Sequence, residues 1–229
     1  MVTRKAKAPV HPEDRMYTDI YDAVMEHRLP PRTKLTEQTF CELYDLARHN
    51  VRKVLTRLAD HGLVELEPNR GAFIASPSAQ EAQDMFELRQ TLERLVIEKV
   101  AALDNAAALK RLQALVQRER KAWKGGDRAS WIRLSADFHI ELARLSGNAL
   151  LTDMLQRLVS RTTLVIAGHD APGHNVCSFD EHQDILSLLT TGNKSGALKS
   201  MARHLQGCEH RAHEPQADHF DLRHALKRP

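Results

Sequence analysis

Hydrophobic side chains recur at helical spacing three times within the first part of the chain, and each recurrence predicts a short helix. The first spans 16–28 and must end at the two prolines that follow, because proline lacks a backbone N–H and clashes with the preceding turn. A second helix follows Thr36, and a third covers 46–58. The third helix ends before Gly62, since glycine is favoured just past a helix end.

The pattern then changes to two short stretches with strand character, 63–67 and 72–75, which flank a turn ending in Gly71. Two such stretches around a glycine-containing turn predict a β-hairpin. Three helices followed by a hairpin form a winged helix-turn-helix domain, which we predict at 15–77. The short, basic, proline-containing segment 1–14 is expected to be a flexible arm.

From residue 78 onward the spacing is helical, and neither a strand pattern nor an internal repeat is evident. Ser78 and Glu81 have the spacing of a capping box, in which each side chain binds the other residue's backbone N–H at a helix start. We therefore predict a mainly α protein. An all-α helical bundle at 78–214 follows the winged domain, and a polar, His-rich tail occupies 215–229.

Composition narrows the class of protein. The 229 residues are 42% hydrophobic, which is enough for a core, and a net charge of +3 means that any nucleic-acid-binding surface is local. The three cysteines, Cys41, Cys177 and Cys208, lie far apart without a CxxC pair, so we expect a reducing cytoplasm and no disulfide scaffold. No apolar run of about 18 residues occurs, so neither a membrane span nor a secretory signal is expected.

The third helix divides its side chains between two faces. On a helical projection the apolar residues gather on one side, namely Val51, Val54, Leu55 and Leu58. The opposite side is polar and mostly basic, consisting of Arg48, His49, Arg52, Lys53, Thr56 and Arg57. Such a helix can pack on a core by one face and present cations to a DNA groove by the other. A solvated surface face is the alternative interpretation.

Two segments of the chain resemble parts of a known protein family. Residues 29–75 resemble the winged helix-turn-helix of the GntR transcriptional regulators, through L-T-E-Q at 35–38, R-x-x-V-R at 48–52, L-A-D-H-G-L-V at 58–64 and R-G-A at 70–72. Residues 79–212 resemble the helical effector-binding domain, called FCD, of the FadR-type branch of that family. The matching segments are F-E-L-R-Q-T-L-E at 86–93, F-H at 138–139, S-G-N at 146–148, E-H at 181–182 and M-A-R-H-L at 201–205.

Several positions depart from the GntR pattern. His27 and Arg32 replace two glycines of the usual first turn, and 45–50 replaces the usual Gly-Val-Ser-Arg-Thr-Pro before the reading helix. Lys53 stands where the family usually has glutamate. The arginine pair is retained while its neighbours differ, so the resemblance implies DNA binding but leaves the operator sequence open.

The resemblance implies specific roles in DNA binding. Arg48 and Arg52 are expected to enter the major groove, where arginine can bond both O6 and N7 of guanine. Eight further residues are expected to contact bases or phosphates, or the minor groove from the hairpin tip. They are His49, Asn50, Lys53, Thr56, Arg57, Gln38, Arg70 and Gly71. For Arg57 the alternative is a surface ion pair with Asp60.

Three of the 13 histidines, His139, His182 and His204, have apolar neighbours on predicted helices, so each can face the inside of the bundle. Converging neutral imidazoles suit Zn²⁺ or a similar divalent ion, with Ni²⁺ and Mn²⁺ as other options. The resemblance adds that FCD domains often bind a metal with these three histidines. Packed or hydrogen-bonded core histidines are the alternative.

The resemblance also implies a fourth metal ligand, an aspartate one helical turn before the first histidine, where this chain has Ser135. Asp137 cannot substitute, because two residues correspond to about 200° around the helix. A site of three histidines has open positions for water and for the carboxylate of an effector. It also carries less negative charge, which weakens metal binding.

A small organic acid is the expected effector, because an arginine near the metal adds a charge-assisted hydrogen bond to a carboxylate. Arg89 and Arg161 are the candidates, and a salt bridge at the rim is the alternative for each. Cys177 lies close to the predicted pocket in sequence, although a buried packing role suits it better than ligation.

The sequence thus favours a ligand-responsive, DNA-binding transcriptional regulator that acts as a homodimer, with repression as the family's default. A metal-responsive regulator without an organic effector is the second possibility. A metalloenzyme with three histidine ligands and Glu141 or Glu181 as base is the third. Glu181 is better explained as part of a capping box with Ser178, so we expect no enzyme.

Overall fold

The computed structural model of the protein describes residues 11–25, 28–103, 106–169 and 178–210. The N-terminal elements are α1 (Pro12–Met25), β1 (Lys34–Leu35), α2 (Glu37–Tyr44), α3 (Arg48–Asp60), β2 (Val64–Glu67) and β3 (Gly71–Ile74). They are followed by α4 (Ala79–Val100), α5 (Ala106–Lys124), α6 (Arg128–Leu145), α7 (Ala149–His169), α8 (Ser178–Thr190) and α9 (Lys194–His210). The predicted fold class, a winged helix-turn-helix followed by an all-α bundle, is confirmed.

Helix α1 begins earlier than its apolar repeat indicates. Pro12 is its first residue, where a missing backbone N–H costs nothing, and Glu13 and Asp14 in the first turn complement the helix dipole. The last residues of the segment predicted as an arm therefore belong to this helix. Residues 1–10 of that arm, the C-terminal tail, His27 and Cys177 lie outside the described residues.

The turn between α2 and α3 is short and uses a left-handed residue. Asp45 has φ +51° and donates its backbone N–H to the carbonyl of Cys41, which closes α2. Aspartate tolerates this conformation better than most residues. Helix α3 then starts after Ala47, whose side chain supplies no capping hydrogen bond. The predicted connection between the second and third helices is thus present.

The predicted hairpin is the larger part of a three-stranded antiparallel sheet with the order β1-β3-β2. Glu67 pairs with Gly71 at the turn, where Asn69 (φ +61°) and Gly71 (φ +102°) both have left-handed backbones. Strand β1 pairs with the other edge of β3 and was not predicted. Two residues are too short to show an alternating pattern.

The bundle begins with the capping box that the spacing of Ser78 and Glu81 predicts. The Ser78 hydroxyl accepts from the backbone N–H of Glu81, at 3.2 Å, and the Glu81 carboxylate accepts from the backbone N–H of Ser78, at 2.9 Å. The two bonds satisfy donors that a helix start leaves open. Among the helices of the described ranges, none combines the length and the apolarity that crossing a membrane requires.

The winged domain and the bundle share a hydrophobic core. Trp131 and Ile132 of α6 and Leu164 of α7 belong to the same buried cluster as Ile20 of α1 and Val51 of α3. A second cluster lies inside the bundle and includes Phe138, which is fully buried. Helix α3 therefore rests on a core that α6 and α7 complete.

Gly62 gives a test of this contact between domains. It has φ +74°, and a Cβ at this position would collide with the side chain of Arg161 on α7. We expect Gly62→Ala to lower the free energy of unfolding by about 1–2 kcal/mol for the backbone conformation and by about 1–3 kcal/mol more for overpacking.

Gly126→Ala is the matched control, because Gly126 has a similar φ of +72° and nothing within 4 Å of the added Cβ. Urea unfolding of both variants separates the backbone effect from the contact with Arg161. Equal losses of stability in the two variants would contradict a close contact between Gly62 and α7.

Candidate functional site

Helix α3 has the two faces that its sequence indicates. Its apolar residues are buried on the shared core, namely Val51, Val54, Leu55 and Leu58. The residues predicted for DNA contact lie outward. Asn50 is half-buried, while exposed side chains are those of Arg48, His49, Arg52, Lys53, Thr56 and Arg57.

The exposed face forms an open groove of about 380 Å³, lined by His49, Arg52, Lys53, Thr56, Arg57 and Asp60. Five of these six residues were predicted to contact DNA. A shallow surface with three cationic side chains attracts a polyanion. The structure therefore brings most of the predicted DNA-contacting residues of α3 into one surface.

Both arginines of the R-x-x-V-R motif are held by a carboxylate on α2. Arg52 Nε donates to Glu37 Oε1 at 2.7 Å, and Arg48 Nε lies 3.9 Å from Glu37 Oε2. Arg48 also donates to the side chain of Gln38, at 3.5 Å. The hydrogen bond to Glu37 raises the pKa of Arg52. Since the Arg52 side chain is 65% exposed, the ion pair is weak and can be exchanged for DNA.

Arg57 does not form the alternative ion pair with Asp60. Its guanidinium donates to Asp14 of α1, at 2.8 Å, and lies 4.2 Å from the ring centroid of Tyr17. The alternative prediction of Asp60 as the partner was therefore wrong. Asp14 lies 43 residues away in sequence and comes beside Arg57 only through folding. Arg57 therefore connects α3 to α1.

The hairpin tip carries exposed Arg70 and Gly71, as predicted. Arg70 pairs with Glu67 across the turn, and its guanidinium lies 5.5 Å from the ring centroid of Phe73. Arg32 pairs with the same Glu67 at 2.8 Å. The Arg32 guanidinium also lies 5.4 Å from the Phe73 ring centroid, so both cations contact one aromatic ring, and the Glu67 carboxylate that they share offsets part of their charge.

The three predicted histidines meet inside the bundle, one from each of α6, α8 and α9. His139, His182 and His204 are almost completely buried, with exposed fractions of 3%, 0% and 1%. Nε2 of His204 lies 3.2 Å from Nε2 of His139 and 3.3 Å from Nε2 of His182. One nitrogen from each ring falls within 4.8 Å of the others.

Each histidine has a carboxylate on its other ring nitrogen. The three Nδ1–carboxylate distances are 2.6 Å, 3.0 Å and 2.7 Å, for the pairs His139–Glu93, His182–Glu119 and His204–Glu181. A carboxylate at Nδ1 fixes the tautomer with the proton on Nδ1, which leaves the Nε2 lone pair free for a metal. The carboxylates of Glu93 and Glu119 are themselves buried.

Burial lowers the pKa of His139 well below its usual value and also lowers that of His182, although Glu93 and Glu119 oppose the effect. Both imidazoles are therefore neutral at pH 7, which is the form that binds a metal. At Glu93 burial favours the neutral acid, but His139 and Arg89 outweigh it and lower its pKa to about 2.

His204 behaves differently. Burial lowers its pKa, but Cys208 and Glu181 outweigh burial and raise that pKa to about 10. A metal ion that binds at Nε2 therefore competes with a proton at this histidine, and its binding is expected to weaken as the pH falls.

The geometry fits a tetrahedral metal ion. With Zn–N distances of about 2.0–2.1 Å, two nitrogens of a tetrahedral site lie about 3.3 Å apart. The two separations from His204 Nε2, 3.2 Å and 3.3 Å, agree with that value, and all three ligand atoms lie within 4.8 Å of one another. The residues of this chain therefore fit zinc, with Nε2 of the three histidines as ligands and the three carboxylates behind them.

Arg89 is placed behind this site and not at its rim. It is 2% exposed, donates from Nε to Glu93 Oε1 at 2.6 Å and from Nη1 to the Thr162 hydroxyl at 2.8 Å. A continuous series of polar contacts therefore runs from Thr162 of α7 through Arg89 and Glu93 of α4 to His139. Contact of Arg89 with an effector stays a prediction.

Arg161 lies at the contact between the domains. Its Nη2 donates to Glu81 Oε1 at 3.4 Å, and its aliphatic part lies against Gly62. Arg161 therefore lies where α7 meets the end of α3. Its predicted role in effector binding stays a prediction.

The position of the expected fourth ligand is occupied by half-buried Ser135 on α6. Asp137 lines a cavity of about 170 Å³ between α1, α6 and α7, together with Tyr21 and Arg133, so it faces away from the histidines.

Cys208, one turn beyond His204 on α9, is 5% exposed and its sulfur lies 3.8 Å from His204 Nε2.

The residues considered as a catalytic base are engaged elsewhere. Glu141 is exposed and pairs with Arg144, whereas the carboxylate of Glu181 accepts from His204 Nδ1. The predicted partner of Glu181 at the helix start, Ser178, has a side chain outside the described atoms. Neither carboxylate has a place on the metal-binding side of the histidines.

Sequence reasoning missed four residues of these sites, namely Glu37, Glu93, Glu119 and Cys208. Glu119 had a detectable signal, since a carboxylate among the apolar positions of α5 requires a buried partner. Cys208 follows His204 at i+4, a spacing that places both on one face of a helix.

Two models of protein families match the chain. Residues 84–207 match the FCD domain, and residues 12–74 match "Bacterial regulatory proteins, gntR family". Among individual proteins, the chain is 23% identical to the HTH-type transcriptional repressor RspR of Escherichia coli K12 over 202 residues. That alignment covers 86% of this chain and 88% of RspR.

Solved structures show the same architecture. E. coli McbR/YncC superposes with a TM-score of 0.72 at 18% identity, covering 87% of this chain and 95% of that chain. The transcriptional regulator GntR from Rhodococcus sp. RHA1 gives a TM-score of 0.71 at 21% identity, covering 87% and 96%. At these identities the likeness establishes the fold alone.

Proposed function

We propose a specific mode of action for this chain, which belongs to the GntR family of bacterial regulatory proteins and carries an FCD domain. It is a DNA-binding transcriptional regulator and not an enzyme. In our proposal it acts in the cytoplasm as a homodimeric repressor. Its FCD domain binds a small organic acid through a divalent metal, zinc first, with nickel or manganese as alternatives.

The proposed DNA contact is made by the exposed face of α3. Arg48 and Arg52 exchange the carboxylate of Glu37 for acceptors in the major groove, and the remaining cations of the groove contact phosphates. Support comes from the position of both arginines on one exposed face, with the apolar face of α3 fully used by the core. The wing tip at Arg70 and Gly71 is proposed to contact the minor groove.

The proposals of repression and of a homodimer have separate supports. RspR carries the description of a repressor. Two reading heads are needed to bind a nearly palindromic operator, which a symmetric dimer supplies. Leu88 and Leu95 of α4 are large apolar side chains with exposed fractions of 55% and 38%, and surface of this type suits contact between subunits.

The proposed metal site rests on one observation, the convergence of three buried Nε2 atoms whose Nδ1 atoms each bind a carboxylate. Histidines that only fill a core do not require a carboxylate at each Nδ1 atom. Here all three have one, and two of the three carboxylates are buried. His139 and His182 are neutral rings with fixed tautomers, the form that binds a divalent ion, and at His204 the metal takes the place of a proton.

Helix α7 offers a route from the metal site to the DNA. Thr162 binds Arg89, which leads through Glu93 to His139, and the adjacent Arg161 lies against Gly62 at the end of α3. We propose that effector binding shifts α7 and thereby changes the spacing of the two reading heads.

Thermal unfolding of zinc-loaded protein with a panel of small carboxylates tests the proposal. A ligand at 100 times its Kd stabilises the native state by about 2.7 kcal/mol, so a match should raise Tm by about 5 °C or more. We expect no rise after zinc is removed with a chelator. An equal rise without zinc would contradict binding through the metal.

A metal-responsive regulator without an organic effector is the second candidate. It is favoured by the engagement of both predicted effector arginines, Arg89 with Glu93 and Arg161 with Glu81. In that case zinc alone changes the affinity for DNA, and adding any carboxylate of the panel changes it no further.

A further inference from the structure

Cys208 brings a sulfur atom to the edge of the three-histidine cluster. Its side chain lies on α9 one turn after His204, is 5% exposed, and places Sγ 3.8 Å from Nε2 of His204. It forms no disulfide. A cysteine four residues after a ligand histidine on a helix is on the same face, which is a common spacing in zinc sites.

The distance of 3.8 Å between Cys208 Sγ and His204 Nε2 fits binding of both residues to the same metal ion. With Zn–S about 2.3 Å and Zn–N about 2.0–2.1 Å, sulfur and nitrogen of one tetrahedral zinc lie about 3.6 Å apart. The group of ligand atoms that all lie within 4.8 Å of one another consists of the three histidines and does not include Cys208. Sγ therefore lies beside His204 at the margin of the group, and ligation requires the Cys208 side chain to move toward the point that the three nitrogens share.

We infer that Cys208 is the fourth protein ligand of the metal, completing a His139–His182–His204–Cys208 set in place of the carboxylate that Ser135 does not provide. The inference rests on the metal site of the proposed function. On binding, the thiol loses its proton to solvent and an S–Zn bond forms, so the negative charge missing at residue 135 is restored by sulfur.

A thiolate ligand has a chemical consequence for metal choice. Sulfur favours zinc, cobalt and nickel over manganese, which prefers oxygen ligands. It also fills the fourth position of a tetrahedral ion, so the proposed carboxylate effector would bind as a fifth ligand, an expansion that zinc allows. Manganese, an alternative that the three histidines alone leave open, is therefore disfavoured by this ligand set.

Cobalt is the probe, because a cobalt ion bound to thiolate has a near-ultraviolet charge-transfer band that nitrogen and oxygen ligands do not produce. Full-length protein freed of metal is titrated with Co²⁺ as wild type, Cys208→Ser, Cys41→Ser and Cys177→Ser. We expect the band in wild type and in the two control variants. Cys208→Ser should lack it and bind Co²⁺ about tenfold or more weakly, at least the loss typical of a metal site's outer contacts.

A Cys41→Ser/Cys177→Ser double variant keeps the test valid if Cys208→Ser does not fold. Cys208 is then the last of the three cysteines in the chain, so the band must persist. Cobalt binding by wild type without the band, or a band that survives Cys208→Ser, overturns the inference and leaves the three-histidine site intact. Wild type that binds no cobalt at all overturns the proposed metal site as well.

Discussion

Replacing His182 with alanine will remove metal binding from the protein. His182 is fully buried and supplies one of three converging nitrogens, and its Nδ1 binds the buried carboxylate of Glu119 at 3.0 Å. Two imidazoles cannot hold a divalent ion as three do, so we expect an affinity loss of more than about 100-fold, beyond that for an outer contact. The lost hydrogen bond to Glu119 should also lower stability by about 1.5–3 kcal/mol.

Metal content after dialysis and zinc affinity against a competing chelator measure this effect. Glu119→Gln is the graded variant, because it keeps an acceptor for His182 but loses the charge, and a loss of about 10–100-fold is expected. His49→Ala removes an exposed histidine of α3 and should leave metal content unchanged. A His182→Ala protein that retains wild-type zinc would refute the site.

Replacing Arg52 with alanine will weaken binding to DNA selected by the wild-type protein from a random pool. We expect a loss of about 1–3 kcal/mol, or roughly 5–150-fold, because arginine at a major-groove position can bond guanine at two atoms. The fold should persist, since the Arg52 side chain is 65% exposed and pairs only weakly with Glu37.

Lys53→Ala on the same helix is the matched control. Lys53 is exposed and was predicted to touch phosphates, so its loss should weaken binding to selected and scrambled DNA alike and lower the salt dependence by about one counterion. Fluorescence anisotropy at fixed salt compares both variants on both DNAs. An Arg52→Ala protein that binds selected DNA as wild type does would remove Arg52 from the reading residues.

The local elements of this fold were readable because each depends on neighbours in sequence. The apolar repeat of α3, the capping box at Ser78 and the turn before Gly71 needed only spacing and residue type. Strand β1 was not readable, because its two residues acquire strand structure only by pairing with β3. The core shared between α3 and the bundle likewise depends on long-range packing.

The candidate sites divide in the same way. Apolar neighbours marked the three histidines, and the structure brings them together. Their carboxylate partners were missed because Glu93 and Glu119 lie on α4 and α5, and periodicity assigns a residue to a face without naming what it meets. The ion pair of Arg57 with Asp14 was missed for that reason too, whereas Cys208 had a readable spacing that was not used.

The central claim is that ligand binding in the FCD domain controls the affinity of α3 for DNA. The direct test is an anisotropy titration of selected DNA with zinc-loaded wild type and with His182→Ala, each with and without the carboxylate that stabilises the wild type. We predict that the carboxylate changes the DNA affinity of wild type by about tenfold, which is about 1.4 kcal/mol and within the usual range of coupling between sites, and leaves His182→Ala unaffected. An identical affinity of the wild type with and without carboxylate and zinc would contradict the account.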